Sequence, residues 1–237
     1  MSTKFGIVAA MERELGPWAK QSKRLRVAGD VIFYEAGNAV AVCGGIGGMA
    51  ASRAAEQIVD AYQPAVLVSA GFAGALKNEL RVADLFLPSE VVDLESSRRF
   101  PTGKGEGILA TSSTILSKAQ KAQLASTGAT AVDMEAAAVA EVAERRGLEF
   151  MAIKAISDEM DFDLPEMDGF VNAGGKFRAA QFIAHVALRP RMWPVVRKLA
   201  TNTARAADAL SHALDTLLRE GSIQKTDVRN IVRVDVL

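Results

Sequence analysis

The chain has 237 residues, with 28 lysines and arginines against 28 aspartates and glutamates, so its formal charge is zero. That length supports one sizeable α/β core, and the balance argues against nucleic acid or an anionic membrane as the main partner. A single cysteine, Cys43, excludes an internal disulfide and suits a reducing cytoplasm, and with only two histidines the composition argues against a transition-metal site.

Taken in order, "KFGIVAA" (4–10) predicts a strand leading into a helix over "MERELGPWAKQ". The opening is not patterned as a signal peptide, because its apolar run is short and acids follow at once. "NAVAVCGG" (38–45) and "AVLVSAG" (65–71) predict two more strands, with a helix over "GMAASRAAEQIVDAYQ" between them. "DLFLPSEVVDL" (84–94), "GILATSS" (107–113), "ATAVDM" (129–134) and "EFMAIKAISD" (149–158) read as further strands, and an alanine helix follows Glu135. Continuous apolar strands alternating with helices indicate a mixed or parallel sheet covered on both faces. "NAGGKFRAAQFIAHVAL" (172–188) reads as a helix, and 195–221 as a long amphipathic one. The last stretch, "SIQKTDVRNIVRVDVL", reads as a tail or as a strand added to a neighbour. No stretch reaches the roughly 18 uninterrupted apolar residues of a membrane helix.

Chemistry-bearing residues gather where strands end. "CGGIGGMAAS" (43–52) is a glycine turn before a helix and fits G-x-G-x-x-A through Gly45, Gly47 and Ala50. Its backbone N–H groups suit an anion, but the next strand lacks the acid of a dinucleotide site, which leaves a tight strand–helix turn as the plain alternative. "SAGFAGAL" (69–76) reads as a second small-residue turn in which Gly71 and Gly74 let something approach the backbone. In "AAMERE" (9–14), Glu12 and Glu14 fall on different helix faces, so at most one enters the sheet mouth. Asp133 and Glu135 in "AVDMEAA" serve equally as a cap and a dipole partner for the alanine helix. Asp158 in "AISDEMD" is an acid at the C-terminal mouth of a sheet, or else an N-cap. "RPRMWPVVRK" (189–198) reads as a solvated or subunit-contacting loop.

The order "GIVAAMERE", "GGIGGMAA", "SAGFAGAL", "VDMEAAAVA", "AISDEMD" resembles the nucleoside phosphorylase and nucleosidase superfamily, most of all its bacterial 5′-methylthioadenosine/S-adenosylhomocysteine nucleosidase branch. The likeness spans about residues 4–185. It implies an α/β fold: a three-layer αβα sandwich around a central mixed, partly barrel-like sheet. It also implies cleavage between a purine and the ribose C1′, with no organic cofactor and no metal. By this resemblance Asp158 serves N7 of the leaving adenine, positioned by Ser157, and Glu14 activates water. Glu135 binds the ribose hydroxyls beside Met134, while Met11, Gly71, Phe72 and Ile115 border the substrate.

Three departures bear on the 5′ group. Phe72 stands where nucleosidases usually carry a small hydroxyl residue, and Lys154 where an arginine commonly precedes A-I-S-D. The stretch "LESSRRFPTGKGE" (94–106) is shorter than the usual segment. A phosphorylase remains the alternative, with Arg98, Arg99, Lys154 or the turn at Gly47 holding phosphate. The region beyond residue 186 is similar to a hopanoid-associated phosphorylase-like branch, whose substrate has a bulky apolar 5′ group. A non-catalytic nucleoside-binding protein is the third reading. The expected organisation is a catalytic domain over 1–190 with a helical extension over 191–237, assembled as a homodimer or higher homo-oligomer in the cytoplasm.

Overall fold

Strands rich in alanine and valine carry side chains alternately to the two faces of one sheet. The structure is a computed structural model that describes residues 4–26, 32–103, 105–162, 168–170, 172, 175 and 178–220. In chain order the elements are β1 (Phe5–Ala9), α1 (Glu12–Gln21), β2 (Lys23–Arg26), β3 (Ile32–Ala36), β4 (Ala39–Cys43), α2 (Gly48–Tyr62) and β5 (Val66–Ala75). They continue with β6 (Leu85–Phe86), β7 (Glu90–Asp93), β8 (Arg99–Pro101), β9 (Ile108–Thr111), α3 (Lys118–Ala125) and β10 (Ala131–Asp133). The last are α4 (Ala136–Arg146), β11 (Glu149–Asp158), α5 (Ala179–Ala187) and α6 (Trp193–Glu220). The eleven strands among the described residues form one mixed sheet, in the order β2-β3-β4-β1-β5-β10-β9-β7-β8, with β11 added to β5 and β6 to β11.

The period-two alternation decides the layers. Ile7, Val68 and Ile153 face Leu15 and Trp18 of α1 and Leu210 and Leu214 of α6. Val8, Val42 and Leu67 face Ala54 and Ile58 of α2 and Val139 and Val142 of α4. This is the expected three-layer sandwich; the sheet branches at β5 and stays open. Leu210 and Leu214 are fully buried, each contributing about 1.5–3 kcal/mol by removal from water. The amphipathic stripe of α6 is therefore part of the same core as β1.

The branching at β5 makes the site. β11 runs parallel along β5 from Val66 to Gly74 and occupies one edge for its whole length. On the other edge β1 pairs in parallel up to Ser69, while β10 pairs antiparallel with Gly74 and Ala75. Strands β1 and β10 thus approach from opposite directions, and their C-terminal ends meet head-on across Ala70–Ala73. Ligands in open α/β sheets bind outside such strand ends. The chain leaving β1 starts α1, and the chain leaving β10 starts α4, so two helix N-termini converge on the gap.

Some elements differ from expectation. The single strand predicted over 84–94 is two, β6 and β7, separated at Leu87–Ser89 around Pro88, because proline cannot donate to a ladder. "SAGFAGAL" is no turn: β5 continues through it to Ala75. The predicted helix over 172–188 is described from Ala179 onward, and residues 222–237 lie outside the described residues. Among the described residues no helix is long and apolar enough to cross a membrane.

Candidate active site

Glu14 is in the first turn of α1, two residues past its start at Glu12. Its carboxylate turns back and accepts from the N–H groups of Ala10 at 2.8 Å and Met11 at 3.1 Å. Glu12 is exposed and Glu14 buried, so the two acids do separate by face. A side chain at Gly71 would place its Cβ 3.2 Å from Glu14 Oε2. The glycine is there because Glu14 lies against the backbone of β5. Burial pushes the Glu14 carboxyl up, partly offset by the Met11 N–H and by Lys154.

Asp133 and Glu135 divide the two duties that the sequence left open. Asp133 accepts from the Ala136 N–H at 2.9 Å and from Thr111 Oγ1 at 2.7 Å, which ties the start of α4 to β9. Its second oxygen also meets Lys154 Nζ at 2.8 Å. With the capping done by Asp133, Glu135 is free to face the gap. There it accepts from the Gly47 N–H at 2.8 Å. The anion at the glycine turn before α2 is therefore the protein's own carboxylate. Lys154 is buried and donates to Ser69 Oγ at 2.9 Å. Burial lowers its pKa, but Asp133, Glu135 and Glu14 outweigh that and hold it above a lysine's ordinary value.

Asp158 ends β11 at a register shift opposite Gly74. Ser157 Oγ donates to its Oδ1 at 2.7 Å. Lys121 Nζ, itself buried, ion-pairs with Oδ2. A Cβ at Gly74 would sit 2.9 Å from Asp158 Oδ2 and 3.3 Å from Lys121 Nζ, so this glycine makes room for the pair.

One cavity joins these groups. Glu14, Glu135 and Asp158 all line it, together with Met11, Phe72, Ile115, Met134, Ser157 and Lys121. The proposed phosphate residues do not gather there. Arg98 pairs with Glu141 and Glu144, Arg99 pairs with Glu90, and Lys154 lies beneath the carboxylates. Among the described residues no cluster of three or more metal-ligating side chains could hold an ion.

The Phosphorylase superfamily model matches residues 4–109 and 105–187. The chain belongs to the phosphorylase superfamily. The 5′-methylthioadenosine/S-adenosylhomocysteine nucleosidases of Shewanella halifaxensis and Oceanobacillus iheyensis are each 25% identical to it. The alignments cover 76% and 77% of this chain and 97% of each relative. The futalosine hydrolase of Helicobacter pylori is similar in fold at a TM-score of 0.65 and 20% identity, over 92% of this chain and 99% of that one. A mutant Helicobacter pylori MTAN with 5′-methylthioadenosine in its active site gives 0.64 and 21%, over 92% and 100%.

In this superfamily member, Lys121 was invisible to sequence reasoning. Helix α3 is polar and weakly amphipathic, and only its Ser117-x-x-Gln120 capping box marks its start. Leu199 and Thr203 of α6 and Arg13 of α1 also line the cavity without having been predicted.

The acid cluster has a pH signature. Burial, then Asp133 and Glu14, push Glu135 from 4.5 up to about 8, against Lys154 and the Gly47 N–H. A carboxyl raised on folding stabilises fully below its unfolded pKa, and that contribution disappears as pH rises through the folded value. The melting temperature is expected to fall between about pH 4.5 and 8. Glu135→Gln flattens part of this slope and leaves the part due to Glu14; thermal unfolding across that range checks it.

Proposed function

We propose that the chain hydrolyses the N-glycosidic bond of an adenine nucleoside modified at its 5′ position. The observation that carries this reading is the convergence of Glu14, Glu135 and Asp158 on one cavity at the head-on ends of β1 and β10. The names of the nucleosidase relatives support the same substrate class.

Glu135 orients the ribose by accepting from its hydroxyls, with Met134 packed on the sugar, and its ionised fraction favours the oxocarbenium-like transition state. Glu14 takes a proton from water; its raised pKa brings the base closer to working pH. Asp158 serves N7 of adenine, which otherwise leaves as an anion. Ser157 and Lys121 fix its carboxyl, and the Lys121 ammonium is a proton source behind it. The oxygen and one hydrogen of water go to C1′, its other proton goes to Glu14, and adenine departs with a proton at N7. Bulk solvent resets both sides. Met11, Phe72 and Leu199 on the cavity wall support an apolar 5′ substituent.

Water is favoured over phosphate because Arg98, Arg99 and Lys154 are engaged by carboxylates; among the described residues that line the cavity, Arg13 is the cation left for a phosphorolytic reading. Exposed Met49 and Leu94 support a homodimer through the α2 side, and the single cysteine supports a cytoplasmic setting. A series of adenosines differing only at the 5′ position, incubated with and without phosphate, tests the reaction. Free reducing sugar and adenine in equal amounts without phosphate is the expected result. Strict phosphate dependence with sugar 1-phosphate as product makes the chain a phosphorylase, and no turnover leaves it a binding protein.

A further inference from the structure

The zero net charge of the whole chain hides a one-sided stretch. Between Asn172 and Ala207 the sequence carries seven lysines and arginines and no aspartate or glutamate. The described part of this stretch is the α5–α6 corner and the first half of α6. There Arg178, Arg189, Arg191, Arg197 and Arg205 are all exposed. None of them is ion-paired to a carboxylate among the described residues. Several arginines elsewhere on the surface are paired. Arg98 pairs with Glu141 and Glu144, Arg99 with Glu90, and Arg145 and Arg146 with Glu56. Exposed apolar side chains are interleaved with these cations along the chain. Leu188 is 81% exposed and Trp193 55% exposed, two of the four large exposed hydrophobics among the described residues. The Trp193 indole N–H donates to the Val186 carbonyl at 3.0 Å, so the ring is held at the corner.

We propose that this corner is a docking surface for an anionic phospholipid bilayer. Like charges left unpaired together repel one another, and a negative partner offsets that cost. Exposed leucine and tryptophan interleaved in sequence with exposed arginines match an interfacial anchor: the apolar groups enter the headgroup boundary while the guanidinium groups meet lipid phosphates. A second copy of the chain fits poorly, because a two-fold contact would set cation against cation. A nucleic acid fits the charge but not an aliphatic side chain as exposed as Leu188, which has no base-edge or stacking role. This inference is independent of the reaction proposed above. The neutrality of the full sequence argues against a bilayer as the main partner; the local stretch makes it an auxiliary one.

The full chain is tested with vesicles of phosphatidylcholine, with and without phosphatidylglycerol. Trp18 is buried, so a shift in tryptophan emission reports Trp193. The expected result is co-sedimentation with the anionic vesicles and a blue shift, both weakened by salt. The double variant Arg191→Glu with Arg197→Glu is expected to bind about ten-fold more weakly or worse. Leu188→Ser is expected to lose the blue shift, and both variants keep the melting temperature and nucleoside turnover of the parent. Three outcomes overturn the proposal: no binding to anionic vesicles, an equal shift with a single-stranded oligonucleotide but none with vesicles, or self-association that Leu188→Ser abolishes.

Discussion

Replacing Asp158 with Asn lowers kcat by about 10²–10⁴-fold and leaves KM close to its parent value. The amide keeps the shape of the carboxyl and one oxygen, so Lys121 retains an acceptor while Ser157 Oγ turns to accept from the new NH2 group, and nucleoside binding is spared. What is lost is the acid that serves N7 of the leaving adenine. Lys121 cannot replace it, because its ammonium is held behind the carboxyl of Asp158. Steady-state kinetics on a 5′-modified adenosine, with thermal unfolding as control, separates these effects. A folded variant with parental kcat removes Asp158 from the reaction, and one with parental kcat but much higher KM makes it a binding group.

Replacing Lys154 with Met costs about 3–5 kcal/mol of stability, the range for removing one partner of a buried ion pair. Lys154 lies among three carboxylates: it touches Asp133 directly and acts at longer range on Glu135 and Glu14. Without it, Asp133 is a buried charge with no cation in contact, and both cavity acids move further up in pKa. Activity falls together with stability, since ionised Glu14 and Glu135 become scarcer. The sign with pH is distinctive. The lysine is held above 10.5, so its stabilisation is complete below that value and is lost only as pH rises through its folded pKa. Parent and variant therefore differ by a nearly constant amount on its account from neutral pH up to about 10. The double variant Lys154→Met with Asp133→Asn recovers part of the loss, because no uncompensated charge remains. Denaturant unfolding of the four proteins measures this; a cycle with no coupling contradicts it.

Long apolar strands were legible in the sequence because burial on both faces leaves few polar positions: β1, β4, the first half of β5 and β11 fall where their runs predicted. The acids at 14, 135 and 158 were legible as acids at strand and helix junctions. Which of them pointed inward was not. For Glu14 the helical period settles it; for Glu135 the decisive fact is that Asp133 takes the cap, which depends on Thr111 from another strand. Strands β2 and β8 were missed because "KRLR" and "RFP" are charged edge segments without an apolar alternation. The second half of β5 was mistaken for a turn because its glycines carry the signature of one. Their purpose is tertiary: Gly71 clears Glu14, and Gly74 clears Asp158 and Lys121. Lys121 itself was illegible, since a lysine on a polar helix normally faces solvent and only the three-dimensional path of α3 brings it to Asp158.

The account depends most on three carboxyl groups surrounding one sugar. A crystal structure of the Asp158→Asn variant with a 5′-modified adenosine tests this directly. The expected complex has the ribose hydroxyls hydrogen-bonded to Glu135, N7 of adenine facing the side chain at 158, and a water between Glu14 and C1′. A nucleoside bound elsewhere, or bound here with its ribose turned away from Glu135, contradicts it.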